Sequence, residues 1–206
     1  MSAEIRAAIL AGGRASRMGG RNKALLEVEG RAILDRLLDA LRPLFAPGAL
    51  AAVLAADAAP ADEAPFAARG LELLRDSASG QGPMAGLAAA LDWSGGALLL
   101  AVACDMPFVD RRVIEIVVAR ARASPADIAL PVAGGRLQPL LACYSPRCAA
   151  LVARQLAAGA RRMSDLPDAA RAAGLVVDEI DEREIRTVDP DLRSFANINR
   201  VSDLAD

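Results

Sequence analysis

No histidine occurs anywhere in this chain of 206 residues, and that absence closes several routes at once. Without an imidazole there is no Ser-His-Asp or Cys-His nucleophile, no histidine-ligated zinc, and no access to the commonest general base. Cysteine is nearly as scarce. Cys104, Cys143 and Cys148 are odd in number and show no C-x-x-C spacing, so neither a disulfide framework nor a zinc knuckle is indicated, and they read as reduced and mostly buried. Aromatic residues make up 3% of the chain and the formal net charge is -2, a poor match to a nucleic-acid surface, which needs a basic face with stacking rings. No apolar run approaches the roughly 20 residues that cross a bilayer. The longest, Ala97 to Cys104, has the length of a buried strand. Glu4 and Arg6 interrupt the short N-terminal apolar stretch, which runs straight into a Gly/Arg-rich loop, so the layout is not that of a secretory signal. The expectation is a cytoplasmic protein with a small-molecule partner, no nucleic acid and no membrane, whose chemistry rests on carboxylates, Lys, Arg and a hard metal.

What is present is an alternation. Apolar, strand-like runs lie at Ile5–Leu10, Leu50–Ala55, Leu71–Leu74, Ala97–Ala103, Ile128–Val132, Leu140–Tyr144 and Leu175–Ile180. Between them fall helix-like segments. In Ala32–Leu44, Ile33, Leu34, Leu37, Leu38 and Leu41 form one stripe, with Asp35, Arg36, Asp39 and Arg42 outside it. Met84–Trp93, Arg111–Ala123, Pro146–Ala157 and Ser164–Ala173 are the other principal helices expected. Strands alternating with helices predict a three-layer α/β/α, Rossmann-like domain with a mostly parallel sheet. Val132-Ala-Gly-Gly-Arg136 has hairpin chemistry, which predicts one antiparallel strand around Leu137–Tyr144. The Ala/Pro-rich stretch Ala55–Pro65 reads as a mobile loop. One domain, residues 1–206, is expected.

Two segments carry chemistry. Leu10-Ala-Gly-Gly-Arg-Ala-Ser-Arg-Met-Gly-Gly-Arg-Asn-Lys23 packs four glycines, three arginines and a lysine after the first strand. Glycine lets the backbone approach an anion and turn its N–H groups toward it, and Arg14, Arg17, Arg21 and Lys23 add positive charge. The spacing is neither that of a Walker P-loop nor G-x-G-x-x-G. From composition alone, a basic surface loop is the alternative to a phosphate cradle. The second segment, Cys104-Asp105-Met106-Pro107, follows the most apolar strand, at the carboxyl end where ligands of open α/β sheets bind. A carboxylate there suits Mg²⁺, which keeps most of its waters and bridges phosphate oxygens. The alternative for Asp105 is a turn or cap before Pro107, although Asp110 is better placed to cap the helix that begins at Arg111.

With both segments in hand, the pattern L-A-G-G-x-x-S-R-M-G-x-x-x-K, read from Leu10 to Lys23, resembles the signature of the nucleotide-diphospho-sugar-type nucleotidyltransferases. Its Gly-Gly form looks like that of the molybdenum cofactor guanylyltransferases, and C-D-M-P matches the family's second signature. The resemblance implies that GTP sits on Leu10, Ala11, Gly12, Gly13, Lys23, Asp76 and Asp105. It also implies that Lys23, Arg17 and Asp105 are catalytic and that Asp105 holds Mg²⁺. Gly82–Leu87 corresponds to a segment packed against the base, where the alternative for Gly82-Pro83 is a turn starting a helix. Gln138–Tyr144, Arg162, Asn197 and Asn199 correspond to elements bordering the acceptor, molybdenum-molybdopterin. For the Arg161-Arg162 pair the alternative is a complement to a helix dipole. Two positions depart from the family pattern: Ala55 stands where an asparagine is usual, and Arg200-Val201 where Thr-Pro is. The implied reaction is GMP transfer from GTP with release of pyrophosphate. Transfer from CTP, or onto another small phosphate, is the rival on the same scaffold. A non-catalytic carrier of molybdopterin or nucleotide is the rival of another kind. Transient contact with molybdenum cofactor biosynthesis or recipient proteins is implied as well.

Overall fold

Successive residues of the central strands face opposite ways, and both sets are buried. Ala7, Ile9, Leu100 and Val102 join one apolar cluster, while Ala8, Leu10, Leu99 and Ala101 join the other. A strand buried on both faces must lie in the middle of three layers. The computed structural model, which describes residues 4–12, 17–18, 21–76 and 82–198, has this architecture. Among the described residues eight strands form one sheet: β1 Ile5–Leu10, β2 Leu50–Leu54, β3 Glu72–Arg75, β4 Leu98–Ala103, β5 Ile128–Ala133, β6 Arg136–Leu137, β7 Leu141–Tyr144 and β8 Val177–Ile180. The order is β6-β5-β7-β4-β1-β2-β3, with β8 also paired to β5.

Helices α1 Ile33–Leu41, α2 Pro60–Ala67, α3 Pro83–Trp93, α4 Arg111–Ala123, α5 Cys148–Ala157, α6 Leu166–Ala172 and α7 Glu182–Arg186 cover the sheet. Side chains of α1, α2, α4 and α7 close one face, and those of α3, α5 and α6 the other. The α1 stripe is almost wholly buried: Ile33, Leu34, Leu37, Leu38 and Leu41 are each at most 1% exposed. Each such side chain contributes about 1.5–3 kcal/mol relative to leaving it in water. Gly86 lets α3 approach closely, since a Cβ there would touch Leu10 at 3.5 Å and Val53 at 3.7 Å. Among the described residues no helix is long and apolar enough to cross a membrane.

Two expectations change. Ala55–Pro65 is not a loop throughout, because α2 starts at Pro60. Proline suits the first helical position, where its missing N–H is not needed, and the Asp62 carboxylate accepts a hydrogen bond from Ala59 N at 3.2 Å. The Ala/Pro composition masks these start signals. The sheet also contains two antiparallel strands rather than one. Gly134 and Gly135, at φ +57° and +69°, turn β5 into β6, which pairs antiparallel to it. Gln138 N still donates to Pro131 O at 2.9 Å, and pairing then breaks at Pro139, which has no N–H to offer and whose carbonyl accepts the Tyr144 hydroxyl at 2.5 Å. The chain resumes as β7, antiparallel to both β4 and β5.

Candidate active site

β1 has β2 on one side and β4 on the other, both parallel to it, and the chain reverses its direction of winding there. This is the position at which an open α/β sheet leaves a crevice at its carboxyl end. Three loops meet in it. The chain leaves β1 between its neighbours: Ala11 N donates to Val53 O at 2.8 Å, and Cys104 N donates to Leu10 O at 3.2 Å. Gly12 follows, in a space where even a methyl group would be crowded. A Cβ there would sit 3.1 Å from Ala55 N and Leu54 C and 3.2 Å from Asp76 Oδ2. The strand-like approach of Leu10–Gly12 therefore depends on glycine by contact.

Asp76 lies on the β3 side of this loop. It is 4% exposed, and its carboxylate accepts a hydrogen bond from Ala56 N at 2.7 Å. Burial raises the Asp76 pKa, the Ala56 N–H offsets part of the rise, and the nearby Asp57 charge adds to it. On the β4 side, Asp105 Oδ2 faces Lys23 Nζ at 3.4 Å, with side-chain exposures of 23% and 8%. Lys23 reaches that point from a 3-10 turn, Lys23–Leu25, which Asn22 caps: its side chain accepts from Ala24 N at 3.0 Å. The same carboxamide donates to Ala11 O at 3.0 Å. One buried side chain thus joins the two ends of the glycine-rich segment. Nothing in the composition marks Asn22 for this role; only its ability to donate and accept at once does.

Asp110 is the cap of α4, accepting from Arg112 N at 2.8 Å, and its pKa is held down chiefly by the hydrogen bond to the Arg112 side chain. That leaves the Asp105 carboxylate to the crevice. Its chemistry fits a hard cation. One oxygen meets Lys23 while part of the side chain stays open to solvent, and among the described residues no group of three or more acidic, cysteine or histidine side chains gathers. Mg²⁺ needs no such cage when one or two carboxylates are completed by phosphates and water. Cys104, next in the chain, is no nucleophile: burial, with the Asp105 charge adding to it, pushes its pKa up to about 12.

The C-terminal segment returns to the Asp105 loop. Ile198 N donates to Asp105 O at 2.9 Å, which places the exposed Asn197 beside the Asp105 loop although 92 positions separate them in the chain. Arg162 is exposed, in the segment that precedes the 3-10 turn Met163–Asp165. The Arg161 carbonyl sits 3.2 Å from where a Cβ of Gly82 would be, so this segment abuts the start of α3. Gly82 has φ +73° and Pro83 opens α3, so the turn-and-helix reading of Gly82-Pro83 holds. Gln138 donates to Ala133 O and Arg136 O, within the β5–β6 hairpin. Gly13 and Asn199, and the side chain of Arg17, lie outside the described residues; the Arg17–Met18 backbone pairs antiparallel with Arg21–Asn22.

Residues 7–172 match the model of the MobA-like NTP transferase domain family. A probable molybdenum cofactor guanylyltransferase of Pelotomaculum thermopropionicum is 33% identical over 196 residues, covering 95% of this chain and 88% of that protein. A molybdenum cofactor guanylyltransferase of Desulfosudis oleivorans is 31% identical, covering 95% and 90%. Among solved structures, molybdopterin-guanine dinucleotide biosynthesis protein A of Archaeoglobus fulgidus superposes with a TM-score of 0.76 at 26% identity, over 97% of this chain and 95% of that one. The 2-C-methyl-D-erythritol 4-phosphate cytidylyltransferase of Thermus thermophilus shares the fold, with a TM-score of 0.63 at 20% identity, over 100% and 96% of the two chains.

Proposed function

Because the chain belongs to the family of MobA-like NTP transferase domains, we propose that it transfers GMP from GTP to the terminal phosphate of molybdenum-molybdopterin. An acceptor phosphate oxygen forms a bond to the α-phosphorus of GTP, the bond from that phosphorus to the bridging oxygen breaks, and pyrophosphate leaves. The observation that carries this reading is the crevice itself. A side-chain-free approach at Gly12, a buried lysine paired with a partly open carboxylate, and the C-terminal segment all converge at the ends of β1 and β4.

No protein nucleophile or general base is needed, because the attacking group is already an anion, which accords with a chain lacking histidine. Catalysis then reduces to alignment and charge stabilisation. Leu10, Ala11, Gly12 and Gly13 present backbone to the triphosphate, with Asp76 beside them on the nucleotide. Lys23 and Arg17 stabilise charge on the departing pyrophosphate. Asp105 is the residue that would hold Mg²⁺, and the metal, when bound, neutralises phosphate charge at the reacting phosphorus. Arg162, Asn197 and Asn199 hold the acceptor; Arg162 offers a planar fork suited to its phosphate. The half of the chain to about residue 110 serves the nucleotide and the remainder serves the acceptor. The setting is the cytoplasm, with transient contact to proteins that make or receive the cofactor.

The discriminating experiment offers GTP and CTP in competition, with Mg²⁺ and molybdenum-molybdopterin, and follows pyrophosphate release. Preference for GTP supports the proposal. Release from CTP in its place would move the protein to cytidylyl transfer, and release from neither would leave only binding.

A further inference from the structure

The loop that carries Asp105 is held from outside by a segment remote in sequence. Asp110 N, at its far end, donates to Ser194 Oγ at 3.0 Å, and Ile198 N donates to Asp105 O at its near end. Between them the Arg193 guanidinium lies over the Phe108 ring, 4.4 Å from its centroid. Ser194 is fully buried and Asp189 is 8% exposed. The two Asp189 carboxylate oxygens accept from Arg193 N at 3.0 Å and Ser194 N at 2.8 Å, which fixes the 3-10 turn Arg193–Phe195. Leu192 enters that turn in the left-handed region, φ +55°, a conformation a leucine adopts only when its surroundings enforce it. Neither Asp189 nor Ser194 faces the crevice loops at Gly12 or Lys23 through any described hydrogen bond.

We propose that Asp189 and Ser194 are positioning residues that latch the C-terminal segment onto the Asp105–Asp110 loop and thereby set the Asp105 carboxylate opposite Lys23. Few other hydrogen bonds fix the backbone of this loop. On the core side Met106 and Val109 are buried and Arg36 lies over the Phe108 ring, but the backbone hydrogen bonds reach only as far as Cys104, by Ala103 N to Leu140 O at 2.9 Å and Cys104 N to Leu10 O at 3.2 Å. From Asp105 to Asp110 the described backbone hydrogen bonds that reach a distant segment are those to Ile198 and Ser194. Releasing the turn frees the carboxylate at one end and the start of α4 at the other. A displacement of about 1 Å at a reacting centre lowers turnover by up to about 10²-fold.

This inference rests on the transfer reaction proposed above, and the wild-type protein in the same assay tests that reaction separately. Ser194→Ala and Asp189→Asn are compared with Val152→Ala, a cavity variant in α5 on the opposite face of the sheet. All are assayed well below their melting temperatures. Binding of Mn²⁺, used as a probe for the divalent cation, to the protein with GTP is measured alongside by electron paramagnetic resonance. The expected result is kcat about ten- to a hundredfold below that of Val152→Ala with KM for GTP changed less than about threefold, and Mn²⁺ binding weakened in step. Variants whose kcat and Mn²⁺ affinity stay within about threefold of Val152→Ala overturn the latch, whatever their loss of stability. If Ser194→Ala does not fold, Asp189→Asn, which keeps shape and one acceptor oxygen, decides on the same thresholds.

Discussion

Replacing Gly12 with alanine adds one methyl group, and the structure says what that group meets. Its carbon would sit 3.1 Å from Ala55 N and Leu54 C and 3.2 Å from Asp76 Oδ2, a few tenths of an ångström inside ordinary contact. Two of the three atoms are backbone at the end of β2, a stretch tied down by Ala11 N to Val53 O at 2.8 Å and Asp76 N to Leu54 O at 2.9 Å. The strand cannot yield cheaply, so the start of the glycine-rich loop moves, and the Asp76 carboxylate with it. Overpacking of this kind costs about 1–3 kcal/mol. At about 2–4 °C per kcal/mol for a chain of this size, calorimetry should find Tm lower by about 2–12 °C. A shift of the loop backbone should raise KM for GTP or lower kcat by about three- to tenfold. Gly86→Ala is the internal comparison. Its methyl would touch Leu10 at 3.5 Å, ordinary contact, inside a helix, so it should raise stability by about 0.4–1 kcal/mol. If Gly12→Ala matches the wild type in Tm and in GTP kinetics, the close approach at Gly12 does not shape the site.

Asp76→Asn should separate stability from function. Burial raises the Asp76 pKa, so the folded state binds a proton more readily than the unfolded one. The stability this group contributes is present at low pH and lost as pH rises through its folded pKa, leaving a penalty at neutrality. Asn removes the charge and keeps an acceptor for Ala56 N, so Tm at pH 7 should stay level or rise while GTP turnover falls, and the difference in Tm should shrink below pH 4; a lower Tm at pH 7 contradicts this. Lys23→Gln should lower kcat by about 10²–10³-fold, the scale of losing one preorganised charge-stabilising donor; retention of wild-type turnover removes Lys23 from the mechanism. Cys104, Cys143 and Cys148 are all buried with pKa values pushed up to about 12, so a thiol reagent should modify them only as the protein unfolds. Rapid labelling of the folded chain at pH 7 would contradict that.

The layered fold was legible because apolar runs of strand length alternate with amphipathic stripes such as Ile33–Leu41, and local pattern settles such elements. α2 escaped because an Ala/Pro-rich helix has no clear stripe, so its evidence lay in the position of Pro60 and the reach of Asp62. In the candidate site, residue type and spacing mark Gly12, Lys23 and Asp105, the family resemblance alone marks Asp76, and the sheet brings their loops to one crevice. Asn22, Asp189 and Ser194 were not marked. Each acts through hydrogen bonds to backbone atoms, across the fold for Asn22 and Ser194 and within one turn for Asp189, and a polar residue doing that is indistinguishable in sequence from one facing water.

Guanylyl transfer is tested by incubating the purified protein with GTP, Mg²⁺ and molybdenum-molybdopterin and identifying the product by mass spectrometry, alongside Asp105→Ala. Molybdopterin guanine dinucleotide and equimolar pyrophosphate are expected from the wild type, with product lost in a variant that keeps its fold. Equal product from Asp105→Ala, or no dinucleotide from the wild type, would contradict it.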